Sequence, residues 1–105
     1  MKIERFEQSI AWQKARALNK VLYEFTLRAP CSSDWDFCRQ LRRASLSIMN
    51  NIAEGFERHS LREQQHFLTI SKGSAGEVRS MVYVGLDVGH FNQDEFGRLK
   101  SQVEE

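Results

Sequence analysis

Glu63-Gln64-Gln65-His66 sets a carboxylate and an imidazole three residues apart, the E-x-x-H spacing with which helical bundles hold a pair of iron ions. Asp87 with His90 is a looser copy. On one helix the two pairs would stand about 36 Å apart, whereas the di-iron design draws such motifs from two helices and a glutamate from each of two more. The spacing therefore speaks against a metal enzyme, and no cofactor is expected. The chain also lacks a GxxxxGK phosphate loop, a GxSxG turn and a cysteine–histidine nucleophile pair. Cys31 and Cys38, seven apart, match neither a CxxC redox site nor zinc-ligand spacing and read as reduced thiols, Cys38 in the core. An isolated His59 reads as a surface residue. The expectation is a protein that is not an enzyme.

Cationic side chains offer a different chemistry. Lys14, Arg16 and Lys20, then Arg39, Arg42 and Arg43, then Arg58 and Arg62 are candidates for contacting the phosphates of RNA or DNA. Net charge is only +1, but it is uneven: residues 1–30 carry +3, residues 31–72 carry +1 and residues 73–105 carry −3. A basic face can attract a polyanion although the whole molecule is nearly neutral. Trp12, Trp35 and Tyr23 could stack on bases, yet large aromatics on bundle helices are more often core or interface and are read so here. No signature of the common RNA-binding folds is present, so binding is expected to rest on backbone charge and shape and to be steeply salt-dependent.

A third set of residues is polar within an apolar pattern. SIMNNIAEGFERHS at 47–60 and KGSAGEVRS at 72–80 carry Asn51, Glu54, Ser74 and Glu77 beside Gly55, Gly73 and Gly76. Each helical glycine costs roughly 1 kcal/mol relative to alanine, so the three imply close helix packing. Asn51, Glu54, Ser74 and Glu77 are expected to form a hydrogen-bonded network that fixes register, since buried polar groups are costly unless paired.

The elements that must hold these residues are helical. One proline, almost no alternation of period two, and apolar residues at spacings of three and four predict an all-α antiparallel up-and-down four-helix bundle, one domain over 1–105. Ala11, Ala15, Leu18, Leu22, Phe25 and Ala29 mark the first helix, ended by Pro30. A capping box of Ser33 and Asp36 starts the second near Asp34, with Cys38, Leu41, Ser45, Ile48 and Ile52 inward. Ser60 and Glu63 cap the third, which runs to about Gly89 with Phe67, Ile70, Ser74, Val78, Met81, Gly85 and Val88 inward. Asn92 and Glu95 cap the fourth, from Gln93 to Glu105 with Phe96, Leu99 and Val103. The fourth helix, about half the length of the third, leaves apolar surface that self-association would cover. Without a segment long enough to span a bilayer, or an apolar N-terminal signal, the protein is expected to be cytoplasmic with no membrane partner.

These residues also carry a resemblance. An early aromatic, AWQKA at 11–15, QLRRASLSI at 40–48, NIAEGFER at 51–58 and KGSAGEV at 72–78 stand in the order and spacing of the helical-bundle proteins encoded in intervening sequences of bacterial large-subunit ribosomal RNA genes, and the chain resembles them over nearly its whole length. The resemblance implies a four-helix bundle, a homopentameric ring, and kinship with accessory proteins of diversity-generating retroelements, which work beside a reverse transcriptase. Met49 stands where the family usually has proline, which implies a weaker kink in the second helix. Two functions follow: a homo-oligomeric nucleic-acid-associated bundle, or an adaptor ring that holds a protein partner such as a reverse transcriptase and does not itself touch nucleic acid.

Overall fold

The computed structural model describes residues 5–104. They form four α-helices, α1 (Ile10–Thr26), α2 (Trp35–Phe56), α3 (Leu61–Asp87) and α4 (Gln93–Glu104), with short 3-10 turns at Phe6–Gln8 and Cys31–Ser33 and, among the described residues, no strand. Glu105, the expected last residue of α4, lies outside the described residues.

Each helix begins where a short polar side chain accepts a backbone N–H that has no partner within the helix. Ser9 accepts from the N–H of Trp12, Asp34 from that of Phe37 and Ser60 from that of Glu63. At α4 the cap is reciprocal: Glu95 N–H donates to the Asn92 side chain and Asn92 N–H to the Glu95 carboxylate, both at 2.9 Å. The cap of α2 is thus Asp34, not the expected Ser33, which belongs to the 3-10 turn. Likewise α1 stops at Thr26, before Pro30, and Ala29 lies outside it and exposed. The early stop lets the chain turn so that Cys31 is fully buried beside Cys38, their sulfurs 3.9 Å apart.

One buried cluster takes residues from all four helices, among them Leu18 and Leu22, Leu41 and Ile48, Val78 and Val82, and Leu99, with Phe91 from the α3–α4 loop. Full burial of such side chains is worth roughly 1.5–3 kcal/mol each. The expected inward residues of α2, Cys38 to Ile52, are all buried, and α2 runs unbroken through Met49. Along each consecutive pair, contacts fall on one helix as they rise on the other: Ile48 with Ser71 and Ser47 with Ser74 for α2 and α3, Arg79 with Glu104 and Tyr83 with Phe96 for α3 and α4.

Helix α3 departs most from expectation. Ser71, Val78, Val82 and Gly85 are its buried residues, while Ile70 and Val88 are exposed and Phe67, Ser74 and Met81 half-buried. Ser71 displaces Ile70 from the core because its hydroxyl donates to the Ile48 carbonyl at 2.8 Å, which makes burial of a small polar side chain inexpensive. Val88 falls past the helix end.

The α1–α2 and α3–α4 loops lock together at one end. Arg28 makes a two-point pair with Glu95 at 2.6 and 3.1 Å and also donates to the His90 carbonyl. The buried His90 ring meets the Asp34 carboxylate at 2.9 Å. That hydrogen bond, then the Phe37 N–H, holds the Asp34 carboxyl below its ordinary range, and Arg28, then the Asn92 N–H, does the same for Glu95. The lock fixes where α2, the helix that carries Arg39, Arg42 and Arg43, begins.

Candidate nucleic-acid interface

Trp35, Arg39, Arg42 and Leu46 recur at steps of four, three and four, so they share one flank of α2 beside its buried stripe, with Trp35 and Arg39 exposed and Arg42 and Leu46 half-buried. Arg43 adjoins them, and together with Tyr23, Thr26 and Leu27 of α1 they line an open groove of about 500 Å³. Arg42 is held in place: its Nε donates to the Thr26 hydroxyl at 2.9 Å and its guanidinium lies 4.6 Å from the Tyr23 ring centre. Thr26 is itself buried and donates to the Tyr23 carbonyl. Arg39 and Arg43 are exposed on either side. On α1, Arg16, Lys20 and Tyr23 share a face by the same spacing, which places two more exposed cations on the flank nearest α2.

The eight expected contact residues therefore do not form one patch. Arg16, Lys20, Arg39, Arg42 and Arg43 share a flank, whereas Lys14 lines a different groove, of about 520 Å³, with Lys72 and Arg79 of α3 and Val103 of α4. Arg58 and Arg62 stand at the α2–α3 corner, about 29 Å along α2 from Arg39. Arg58 is also engaged: it pairs with Glu54 one turn back, and its guanidinium lies 4.9 Å from the Phe67 ring centre. The pairing leaves it less free to meet a phosphate than the exposed Arg62. Lys14 is set apart because it follows Gln13 and precedes the buried Ala15 on the flank of α1 turned toward α4, a consequence of helical phase that charge counts along the chain do not carry.

The polar residues of α2 and α3 also regroup. Ser47, not among the expected members, is their centre: Asn51 donates to its carbonyl at 2.8 Å and its hydroxyl at 3.0 Å, and Ser74 donates to the same hydroxyl at 2.7 Å. Glu54 is drawn to Arg58 and Glu77 is exposed. A second link between helices joins the buried Ser45 hydroxyl to Asn19 Oδ1 at 3.1 Å. Of the glycines, Gly55 is buried against α3, but a Cβ there would meet the Gln64 carbonyl oxygen at 3.4 Å and Phe67 Cβ at 3.5 Å, ordinary van der Waals contact that does not require glycine. Gly73 and Gly76 have nothing within 4 Å, so packing within the chain does not require them.

What sequence reasoning missed on the basic flank is its aromatic component. Trp35 is 75% exposed and Leu27 73% exposed beside the arginines. The signal lay in the spacing of Trp35 to Arg39 and Arg42, which puts the indole on that flank once α2 is known to start there. The E-x-x-H residues Glu63 and His66 are both exposed on α3, and among the described residues no group of three or more His, Cys, Asp or Glu side chains is placed to hold a metal ion. The two thiols are free; burial, then the adjacent Cys38, pushes Cys31 up to about 12, leaving little thiolate at neutral pH. Among the described residues no helix is long and apolar enough to cross a membrane.

The described residues form an all-α four-helix bundle whose exposed cations include a group on the flank shared by α1 and α2. The sequence pattern of the 23S rRNA-intervening sequence protein family matches residues 7–105, and the chain belongs to that family. No curated protein matches it.

Proposed function

We propose that the chain is a non-enzymatic, nucleic-acid-associated protein that binds RNA through the basic flank of α1 and α2 and works as a homo-oligomer. The observation that carries this reading is the cationic flank of α2, where exposed Arg39 and Arg43 flank an Arg42 held by Thr26 and Tyr23. Fixed and free guanidiniums on one helix suit phosphates spaced along a backbone. Membership of a family named for a ribosomal RNA insertion is compatible with an RNA partner. Self-association is supported by the outer flank of α3 and its C-cap, where Ile70 is 39%, Val84 45% and Val88, just past the helix end, 56% exposed, apolar surface that another subunit would cover. Repetition of the basic flank around an oligomer, a pentamer by family resemblance, multiplies a modest patch into a strong one.

The test is binding to a labelled structured RNA across a salt series, comparing the natural chain with Arg39→Ala/Arg43→Ala. Arg42 is left intact because it packs on α1. The expected result is weaker binding to all sequences alike and a salt slope reduced by about 2 for each bound subunit, with unchanged oligomer mass. Absence of binding by the natural chain at low salt would overturn the reading and point to an adaptor that acts through a protein partner.

A further inference from the structure

Trp35 is the first residue of α2, and its indole is the largest apolar surface the described chain leaves open. An indole in water is costly by hydrophobic transfer, and here it is not half-covered by a neighbouring helix but stands at the mouth of the groove that Arg39, Arg42 and Arg43 line. The other tryptophan, Trp12, is packed edge-on against Phe6 and lies under Arg16, as a structural aromatic does. Trp35 has no such ring contact among the described residues.

We infer that Trp35 and the arginine groove form a subsite for unpaired nucleotides, in which a base exposed in a single-stranded segment stacks on the indole while Arg39 and Arg43 meet the flanking phosphates. The inference rests on the basic-flank reading above and narrows it from nucleic acid in general to single strands and loops. Three features support this occupant. The three guanidiniums follow the indole within about 12 Å of rise along one helix, so the groove is charge-complementary to a phosphate chain and not to a basic or neutral protein surface. The groove holds about 500 Å³, room for a base and its sugar. Arg42, tied to Thr26 and Tyr23, gives it a rigid floor, so little side-chain freedom is lost on binding. In a duplex the base faces are stacked inside and unavailable to Trp35, so stacking selects unpaired RNA whereas backbone charge alone does not.

The experiment uses the full chain with two probes, an oligouridine of about 12 nucleotides and a blunt RNA duplex with the same number of phosphates. Trp35→Ala is expected to weaken oligouridine binding roughly 5- to 100-fold and to leave duplex binding within about twofold, with Trp35→Phe recovering part of the loss. In a Trp12→Phe background, where Trp35 is the only indole, oligouridine should quench its emission and the duplex should not. Equal oligouridine affinity for Trp35→Ala and the natural chain overturns the subsite while leaving the basic-flank reading standing. A change of oligomer mass in Trp35→Ala overturns it in favour of a contact between protein chains. If the natural chain binds neither probe at low salt, both the subsite and the basic-flank reading fall.

Discussion

The locked loop end and the outer flank of α3 use the same residue types for opposite ends. At the loop end, Phe91 is buried edge-on to Phe25 and beside Phe37, and Gly85 exists to admit it: a Cβ on Gly85 would lie 2.2 Å from the Phe91 ring. Arg28, Glu95, His90 and Asp34 close over these rings in a chain of hydrogen bonds. On the outer flank, Gly73 has no neighbour within 4 Å, Glu77 is exposed, and Ile70, Val84 and Val88 face outward. A glycine or an aliphatic residue in a helical pattern thus does not by itself say whether it is packed within the chain.

The largest effect that would sharpen this contrast is at the ring cluster. Phe91→Ala should cost about 3–5 kcal/mol in denaturant unfolding, and Gly85→Ala about 1–3 kcal/mol by forcing the ring aside. A neutral Gly85→Ala would show that Phe91 has room to move and would undo the comparison. Next, Ile70→Glu with Val84→Glu should leave each bundle folded but reduce the sedimenting mass to a monomer; an unchanged oligomer would remove the outer flank as the interface.

Acid should act on the loop end. Asp34 and Glu95 have carboxyls held below their ordinary values, so the stability they lend is fully present above about pH 5 and is lost as pH falls through their lower folded values. Stability should therefore decline below about pH 5, and an Asp34→Asn/Glu95→Gln chain should show a shallower decline; identical slopes would show that the lock does not govern acid sensitivity. On the outer flank, Gly73→Ala should raise stability of the isolated bundle by up to about 1 kcal/mol, since nothing within the chain needs the missing Cβ. A loss of oligomer mass in that variant would locate the close approach between subunits. Smallest of all, Glu77→Ala should change unfolding by less than about 0.5 kcal/mol, because the side chain is exposed. A loss of several kcal/mol would restore it to a buried network.

Much of the fold was legible because helix-making signals are local. The stripe Cys38, Leu41, Ser45, Ile48, Ile52 and the caps Ser60 and Asn92 lie within a turn or two of what they govern, so type and spacing were sufficient. The phase of α3 was not legible, because it carries two apolar stripes. Ile70 and Val84 lie on one and Val78 and Val82 on the other, and hydrophobicity alone favours Ile70 over the serine that is buried in its place. The candidate site was legible as a set of cations and not as a surface: Lys14 and the corner arginines belong elsewhere, and Trp35 was placed with the core or interface.

By itself, then, the sequence determined that the chain is helical, where three of its four helices begin, which face of α2 turns inward and which family it belongs to, since each depends on residues close in the chain or on their order. Tertiary structure alone decided which stripe of α3 is core, that Ser47 and not Glu77 joins α2 to α3, and that Trp35 shares an open groove with three arginines. The pairing of α3 with α2 depends on hydrogen bonds between residues more than twenty positions apart, beyond the reach of any local periodicity. Trp35 and the arginines are close on α2, but the groove they open into is walled by Tyr23 and Thr26 of another helix.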